Sequence, residues 1–182
     1  NELLIYDPSN KGVLKTISDS YINMYEEMKG LEYLEKLAEI DRENPEIMIE
    51  ISEICINLSL FQKAYNWANK AIATGILLDK AYFQRAEVLV SAAEYNMSDE
   101  LDFCDRLVYD LASDDYNLSY KEGNLSAKMF AANLDDYIST KGDWFLSADG
   151  ENKISPSDKK CTDLKKTNCY EWISRKVNTK DN

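Results

Sequence analysis

Asn44-Pro45-Glu46-Ile47-Met48-Ile49-Glu50-Ile51-Ser52, then Ala64, Ala68 and Ala71-Ile72, then Asp79-Lys80-Ala81-Tyr82-Phe83-Gln84-Arg85-Ala86-Glu87, is the stretch on which the fold turns. Its apolar residues recur at helical spacing. Ile47, Ile51, Ile54, Cys55 and Leu58 predict one helix over residues 45–58. Phe61, Ala64, Tyr65, Ala68, Ala71 and Ile72 predict a second over 61–74. Ala81, Tyr82, Ala86, Leu89, Val90 and Ala93 predict a third over 79–95. Pro45 suits a first helical turn, and Gly75 suits the residue just past a helix end. Ala86 follows Ser52 by 34 residues, so small residues return in register.

The register runs backward. Gly30 precedes Ala64 by 34 residues, and Leu37 precedes Ala71 by the same distance. Val13, Ile17, Tyr21, Met24 and Met28 predict a helix that breaks near Lys29-Gly30. Leu31, Leu34, Leu37, Ala38 and Ile40 predict the next. Forward, Leu107 to Gly123 echoes Leu60 to Gly75, but Ala112 follows Ala64 by 48 residues. That offset predicts an insertion near 95–107. Ala127, Met129, Phe130, Leu134, Tyr137 and Ile138 predict one more amphipathic helix over 126–141, ended by Lys141-Gly142-Asp143.

These positions resemble successive tetratricopeptide repeats (TPRs), 34-residue pairs of antiparallel helices that touch through small residues. Ser52, Ala64 and Ala71 stand at the contact points, where large side chains would wedge the helix axes apart. The resemblance implies an all-α fold: a TPR solenoid of about three repeats plus a capping helix. Residues 1–10 read as an irregular lead-in. Residues 11–141 read as the repeat domain, divided as 11–44, 45–78, 79–126 and the cap at 126–141. Residues 142–182 read as a polar, locally basic extension.

A TPR stack presents a groove lined by the first helix of each pair. The resemblance places there Lys15, Asp19, Ile22 and Asn23, then Glu46, Ile49, Glu53, Ile56 and Asn57. Lys80, Phe83, Glu87, Val90 and Ser91 come next, with Lys128, Ala131 and Asp135 on the cap. Asp19, Glu53 and Glu87 stand where capture of an acidic C-terminus would require neutral or basic groups. A peptide carrying basic and apolar residues is the better match.

Composition narrows the function classes. The chain has no histidine, the commonest general base and metal ligand. No Gly-rich phosphate loop or nucleophile elbow is present, so no catalytic residue, metal or cofactor is assigned. The net charge is -12, which disfavours nucleic acid as a partner. No run of apolar residues is long enough to span a membrane. The expected role is a non-catalytic interaction scaffold, with an acidic TPR chaperone for a secreted protein as the alternative.

The tail carries its own signals. Residues 147–158 resemble a worn EF-hand loop, with oxygen side chains at its first, third, fifth, ninth and twelfth places. Ser147, Asn152 and Asp158 replace the usual Asp, Gly and Glu, and each change weakens calcium binding. A calcium-responsive or enzymatic role for this loop is a further alternative. Cys55 and Cys104 read as free buried thiols, and Cys161 and Cys169 as a disulfide pair if the compartment is oxidising. Cys169-Tyr170-Glu171-Trp172-Ile173 resembles the ends of exported bacterial TPR proteins. That implies the cell envelope, with the cytoplasm as the alternative.

Overall fold

The computed structural model describes residues 7–97, 100–161 and 169–179. Its helices are α1 (Lys11–Asn23), α2 (Glu27–Ile40), α3 (Pro45–Asn57), α4 (Phe61–Ala73), α5 (Leu78–Asn96), α6 (Phe103–Lys121), α7 (Ala127–Asn133) and α8 (Lys141–Ser147). Two short strands, β1 (Lys153–Ile154) and β2 (Val177–Asn178), pair antiparallel, with Ile154 opposite Val177. The chain divides into two compact units, residues 1–84 and 85–182.

The first unit shows why a 34-residue repeat folds as a helix pair. Asn10 and Asn44 stand at equivalent places, and each side chain caps its helix by accepting a backbone N–H, from Val13 (3.0 Å) and Glu46 (3.1 Å). Pro45 then occupies the first turn of α3, as expected. Ser18 Oγ donates to the Gly30 carbonyl (2.8 Å), and Ser52 Oγ donates to the Ala64 carbonyl (2.9 Å). The same bond thus recurs 34 residues on, tying the first helix of each pair to the second. Tyr25 and Ser59, also 34 apart, both take left-handed backbone at the turn between helices, with φ of 59° and 56°. α1 packs on α2, α3 on α4, and α2 on α3.

The break expected near Lys29-Gly30 instead falls at residues 24–26. Met24 and Met28, expected inward, are exposed, and Gly30 is buried inside α2. A Cβ on Gly30 would lie 2.6 Å from Ile22 Cγ1 and 3.1 Å from the Ser18 carbonyl oxygen. Gly30 is therefore a close-approach residue and not a helix terminator.

The expected insertion near 95–107 is taken up in part by longer helices: residues 95–96 end α5 and residues 103–107 begin α6, while 98 and 99 lie outside the described residues. α5 and α6 have 19 residues each, against 13 in α3 and in α4. Asp102 starts α6 through a capping box with Asp105. Of the single helix expected over 126–141, α7 takes only Ala127–Asn133; residues 134–140 are turns and irregular backbone, and α8 begins where that helix was expected to end. Between α7 and α8 the carbonyls of Asp136, Tyr137 and Ile138 accept hydrogen bonds from Arg106 Nη1. Lys141-Gly142 reads as a stop, but Thr140 and Asp143 form a capping box that makes it a start.

Described residues of the tail contribute to the core. Trp144, Ala148, Ile154, Tyr170, Ile173 and Val177 are buried. Trp144 meets Phe103 edge-on at 5.5 Å and donates its indole N–H to Ser139 Oγ (2.9 Å). Cys161 is bonded to Cys104 on α6, with 5.5 Å between their Cα atoms, and not to Cys169. The helical setting of Cys104 concealed this, because the pairing spans 57 residues and depends on where the tail returns.

Both the close approach and the disulfide make measurable contributions to stability. Gly30→Leu overpacks the α1–α2 contact and lowers the unfolding free energy by about 2 kcal/mol in denaturant titrations; an unchanged midpoint would contradict the close approach. Cys104→Ser/Cys161→Ser opens a long loop and costs about 4 kcal/mol in a chain-entropy account. Calorimetry with and without reductant checks it, and a melting temperature indifferent to both reduction and substitution rules out the staple.

Candidate functional site

The face formed by the first helices of the first unit is built around one lysine. Lys15, in the middle of α1, donates from Nζ to Glu50 (2.8 Å) on α3 and to Asp19 one turn along α1. Partial burial pulls the Lys15 ammonium toward neutrality, but its hydrogen bonds and attraction to Asp19 and Glu50 outweigh this, and its pKa lies above the ordinary value. The one cation is shared between two carboxylates. Glu53, next along α3, has its carboxyl pKa raised, first by partial desolvation and then by the Glu50 charge. Its side chain still meets solvent, which screens both effects.

Of the other positions expected at the face, Asn23, Glu46, Asn57 and Lys80 are exposed, and Ile56 and Phe83 are half-buried. Ile49 does not belong to the face. It is buried with Met48, Ala71 and Ala81, beside Trp67 and Ile72. The helical period carries Ile49 into packing because both Met48 and Ile49 are enclosed at this junction. Glu50 was not among the residues expected at the face. The signal for it was present: Glu46, Glu50 and Glu53 fall at i, i+4 and i+7, one stripe of a helix.

The remaining expected positions lie in the second unit. Glu87, Val90 and Ser91 are half-buried along α5. Glu87 accepts a short hydrogen bond from the hydroxyl of buried Tyr116, whose ring packs on Phe130. Burial, reinforced by Glu87, pushes that hydroxyl far above the ordinary tyrosine range. Ala131 is buried in α7, Lys128 is exposed, and Asp135 lies beyond the helix end.

Three buried aspartates on α6 anchor the rest of the second unit. Asp105 accepts from the Tyr170 hydroxyl (2.6 Å). Asp110 accepts from the backbone N–H and hydroxyl of Ser139. Asp115 is held by Arg85, through Nε (2.8 Å) and Nη2 (2.7 Å), and by Arg175 (2.6 Å). These are structural partners, each answering a buried carboxylate with a donor.

The loop at 147–158 directs its acids elsewhere than toward a common centre. Asp149, with a left-handed backbone (φ 50°), is paired with the Lys160 ammonium. Asp158 Oδ2 accepts the Ser155 N–H (2.8 Å). Lys153 and Ile154 pair with Asn178 and Val177. Among the described residues no group of three or more His, Cys, Asp or Glu is placed to hold a metal ion. Nor is any described helix long and apolar enough to cross a membrane.

No protein-family model and no curated protein matches the chain. Among solved structures it is similar to crystal structures of MamA. One matches with a TM-score of 0.55 at 21% identity, covering 75% of this chain and 76% of that one. Another matches with a TM-score of 0.53 at 18% identity, covering 81% and 80%. At these identities the likeness is one of fold, an all-α solenoid of antiparallel helix pairs of the TPR kind.

The loop geometry has a measurable consequence. With Asp149 engaged by an ammonium and Asp158 by a backbone amide, titration with millimolar calcium is expected to give no binding heat and no change in melting temperature. A saturable heat lost in Asp149→Ala would show that these contacts yield to the ion.

Proposed function

We propose that the chain is a non-catalytic scaffold that holds a protein partner, and that the α1–α3 face of the first unit takes a peptide bearing Lys or Arg beside apolar side chains. The observation that carries this reading is the charge balance at Lys15. One ammonium is spent on Asp19 and Glu50 together, so the face keeps negative charge, with Glu53 open to solvent beside it. Half-buried Ile56 supplies apolar surface on α3 itself. A cationic, apolar segment is attracted by the first feature and desolvates the second. The helix-pair fold supports a scaffold because such solenoids present extended surfaces to partners.

The Cys104–Cys161 bond supports work in an oxidising compartment, such as the cell envelope. It weighs against a cytosolic chaperone.

The test uses a helical peptide with Lys on one face and Leu on the other, followed by fluorescence anisotropy. Glu53→Lys/Asn57→Lys, both at exposed positions, is expected to weaken binding about tenfold with an unchanged melting temperature. Equal affinities for wild type and variant would remove the face from consideration. The raised Glu53 pKa adds a sign. As pH falls, Glu53 loses its charge above the ordinary glutamate range (about 4.3), so affinity for the cationic peptide starts to drop there.

A further inference from the structure

Among the described residues no helix pair precedes α1 and α2. The 34-residue register shows what their outer face lacks. In the second pair the corresponding face is covered, because α2 packs on α3. Ile47, Ile51 and Cys55 form one stripe of α3 and are 7%, 0% and 0% exposed. Their counterparts 34 residues earlier are Val13, Ile17 and Tyr21, the same stripe of α1, and all three are only half-buried. On the second helices, Lys63 and Trp67 of α4 correspond to Lys29 and Tyr33 of α2. Lys63 is half-buried, whereas Lys29 is exposed. The outer face of the first pair is thus the apolar face of the second without its cover.

The second pair also shows what such a cover is made of. Glu35 of α2 accepts from Lys63 Nζ (2.9 Å) and from the Trp67 indole N–H (3.3 Å). Its charge also acts on the buried thiol of Cys55, so it lies close to the stripe. Ala38 lines a cleft between α2 and α4 together with Met48 and Trp67. Leu31, Glu35 and Ala38 fall at i, i+4 and i+7, one side of a helix. The cover is an amphipathic helix with a carboxylate set between leucine and alanine. The first pair repeats the receiving groups. Lys29 and Lys36 stand 5.4 Å and 4.8 Å from the ring centroids of Tyr21 and Tyr33, as Lys70 stands 3.6 Å from that of Trp67. The Tyr21 and Tyr33 rings stack at 5.7 Å and form an apolar platform where the second pair has Cys55 and Trp67. Lys29 is paired with Glu26 and lies near Glu32. That pair is solvent-exposed, so it opposes a competing carboxylate only weakly.

We infer that the outer face of α1 and α2 is a docking surface for one amphipathic helix of a partner protein, which lays a leucine and alanine stripe over Ile17, Tyr21 and Tyr33 and brings a Glu to Lys29 and the Tyr33 hydroxyl. A second copy of the chain does not offer that helix. Its own α2 is packed on α3, and Leu31, Leu34 and Ala38 are buried. The surface is separate from the α1–α3 face and does not depend on it.

The probe is the α2 sequence itself, residues 27–41, made as an end-capped peptide with Gly30→Ala to favour the helix. It is titrated into the isotopically labelled full chain at about 0.15 M salt, where long-range repulsion is screened. Peptide and chain are both acidic, so bulk charge attraction does not draw them together. The amides of Ile17, Tyr21 and Tyr33 are expected to shift saturably. A peptide carrying Leu31→Asp/Ala38→Asp is expected to bind at least about tenfold more weakly, since it lacks the apolar stripe. Lys29→Glu in the chain, at an exposed position, weakens the original peptide about fivefold, and a Glu35→Lys peptide restores the affinity. A general loss of structure would not be rescued by that swap. Glu53→Lys/Asn57→Lys in the chain leaves binding unchanged, which keeps this test apart from that of the α1–α3 face. The inference is overturned by the absence of saturable shifts, by equal binding of the Asp-bearing peptide, or by a charge swap that restores nothing. The same shifts on concentrating the chain alone would give the face to a second copy and overturn it too.

Discussion

Two helices of the same pair come close enough for a serine hydroxyl on one to reach a backbone carbonyl on the other. The first unit depends on that approach. It requires Gly30 or Ala64 at the point of contact, because a larger side chain would collide with the facing helix. Each hydroxyl–carbonyl bond contributes only about 1 kcal/mol net. Its larger effect is on geometry, since it holds one helix against the next at a set register. That register places Lys15 of α1 opposite Glu50 of α3, and so creates the charged cluster of the candidate face. The gap between α2 and α4 is likewise bordered by the small residues Ala38 and Ala73.

The second unit rests on a different constraint, the burial of carboxylates. Asp105, Asp110 and Asp115 are nearly or wholly inaccessible on one helix. An uncompensated buried carboxylate costs several kcal/mol, so each must be met by a donor. The donors come from distant places in the chain: Tyr170, Ser139, Arg85 and Arg175. This makes the segment after α7 part of the core. Its polar composition is what the site of docking demands, because the helix it meets offers acids as well as apolar surface.

Particular residues show how far pattern reading reaches. Ser52, Ala64, Ala71 and Pro45 announce their roles, because spacing and size act locally and recur at a fixed period. Gly30 announces two roles, terminator and close-contact residue, and only the facing Ile22 decides between them. Ile49 fits a groove position by register but is drawn into packing beside Ala81. The α1–α3 face was legible in part: Lys15, Asp19 and Glu53 come from the repeat, and Glu50 shares a helical stripe with Glu46 and Glu53, but only the contact with Lys15, 35 residues away in sequence, shows its role. Nothing in the spacing marks the α2–α4 cleft, since a cavity is defined by what neighbouring helices fail to fill.

The sequence by itself determined that this chain is helical, paired and periodic, since hydrophobic period, cap residues and small contact residues all act within a few turns. It also determined the acidity and the lack of histidine that shape any functional reading. Tertiary structure alone decided which cysteine pairs with Cys104, which acids are buried, and where the tail docks. Those outcomes depend on contacts between residues tens of positions apart. Such contacts are set by the free energy of covering buried charge and apolar surface, and no local pattern encodes them.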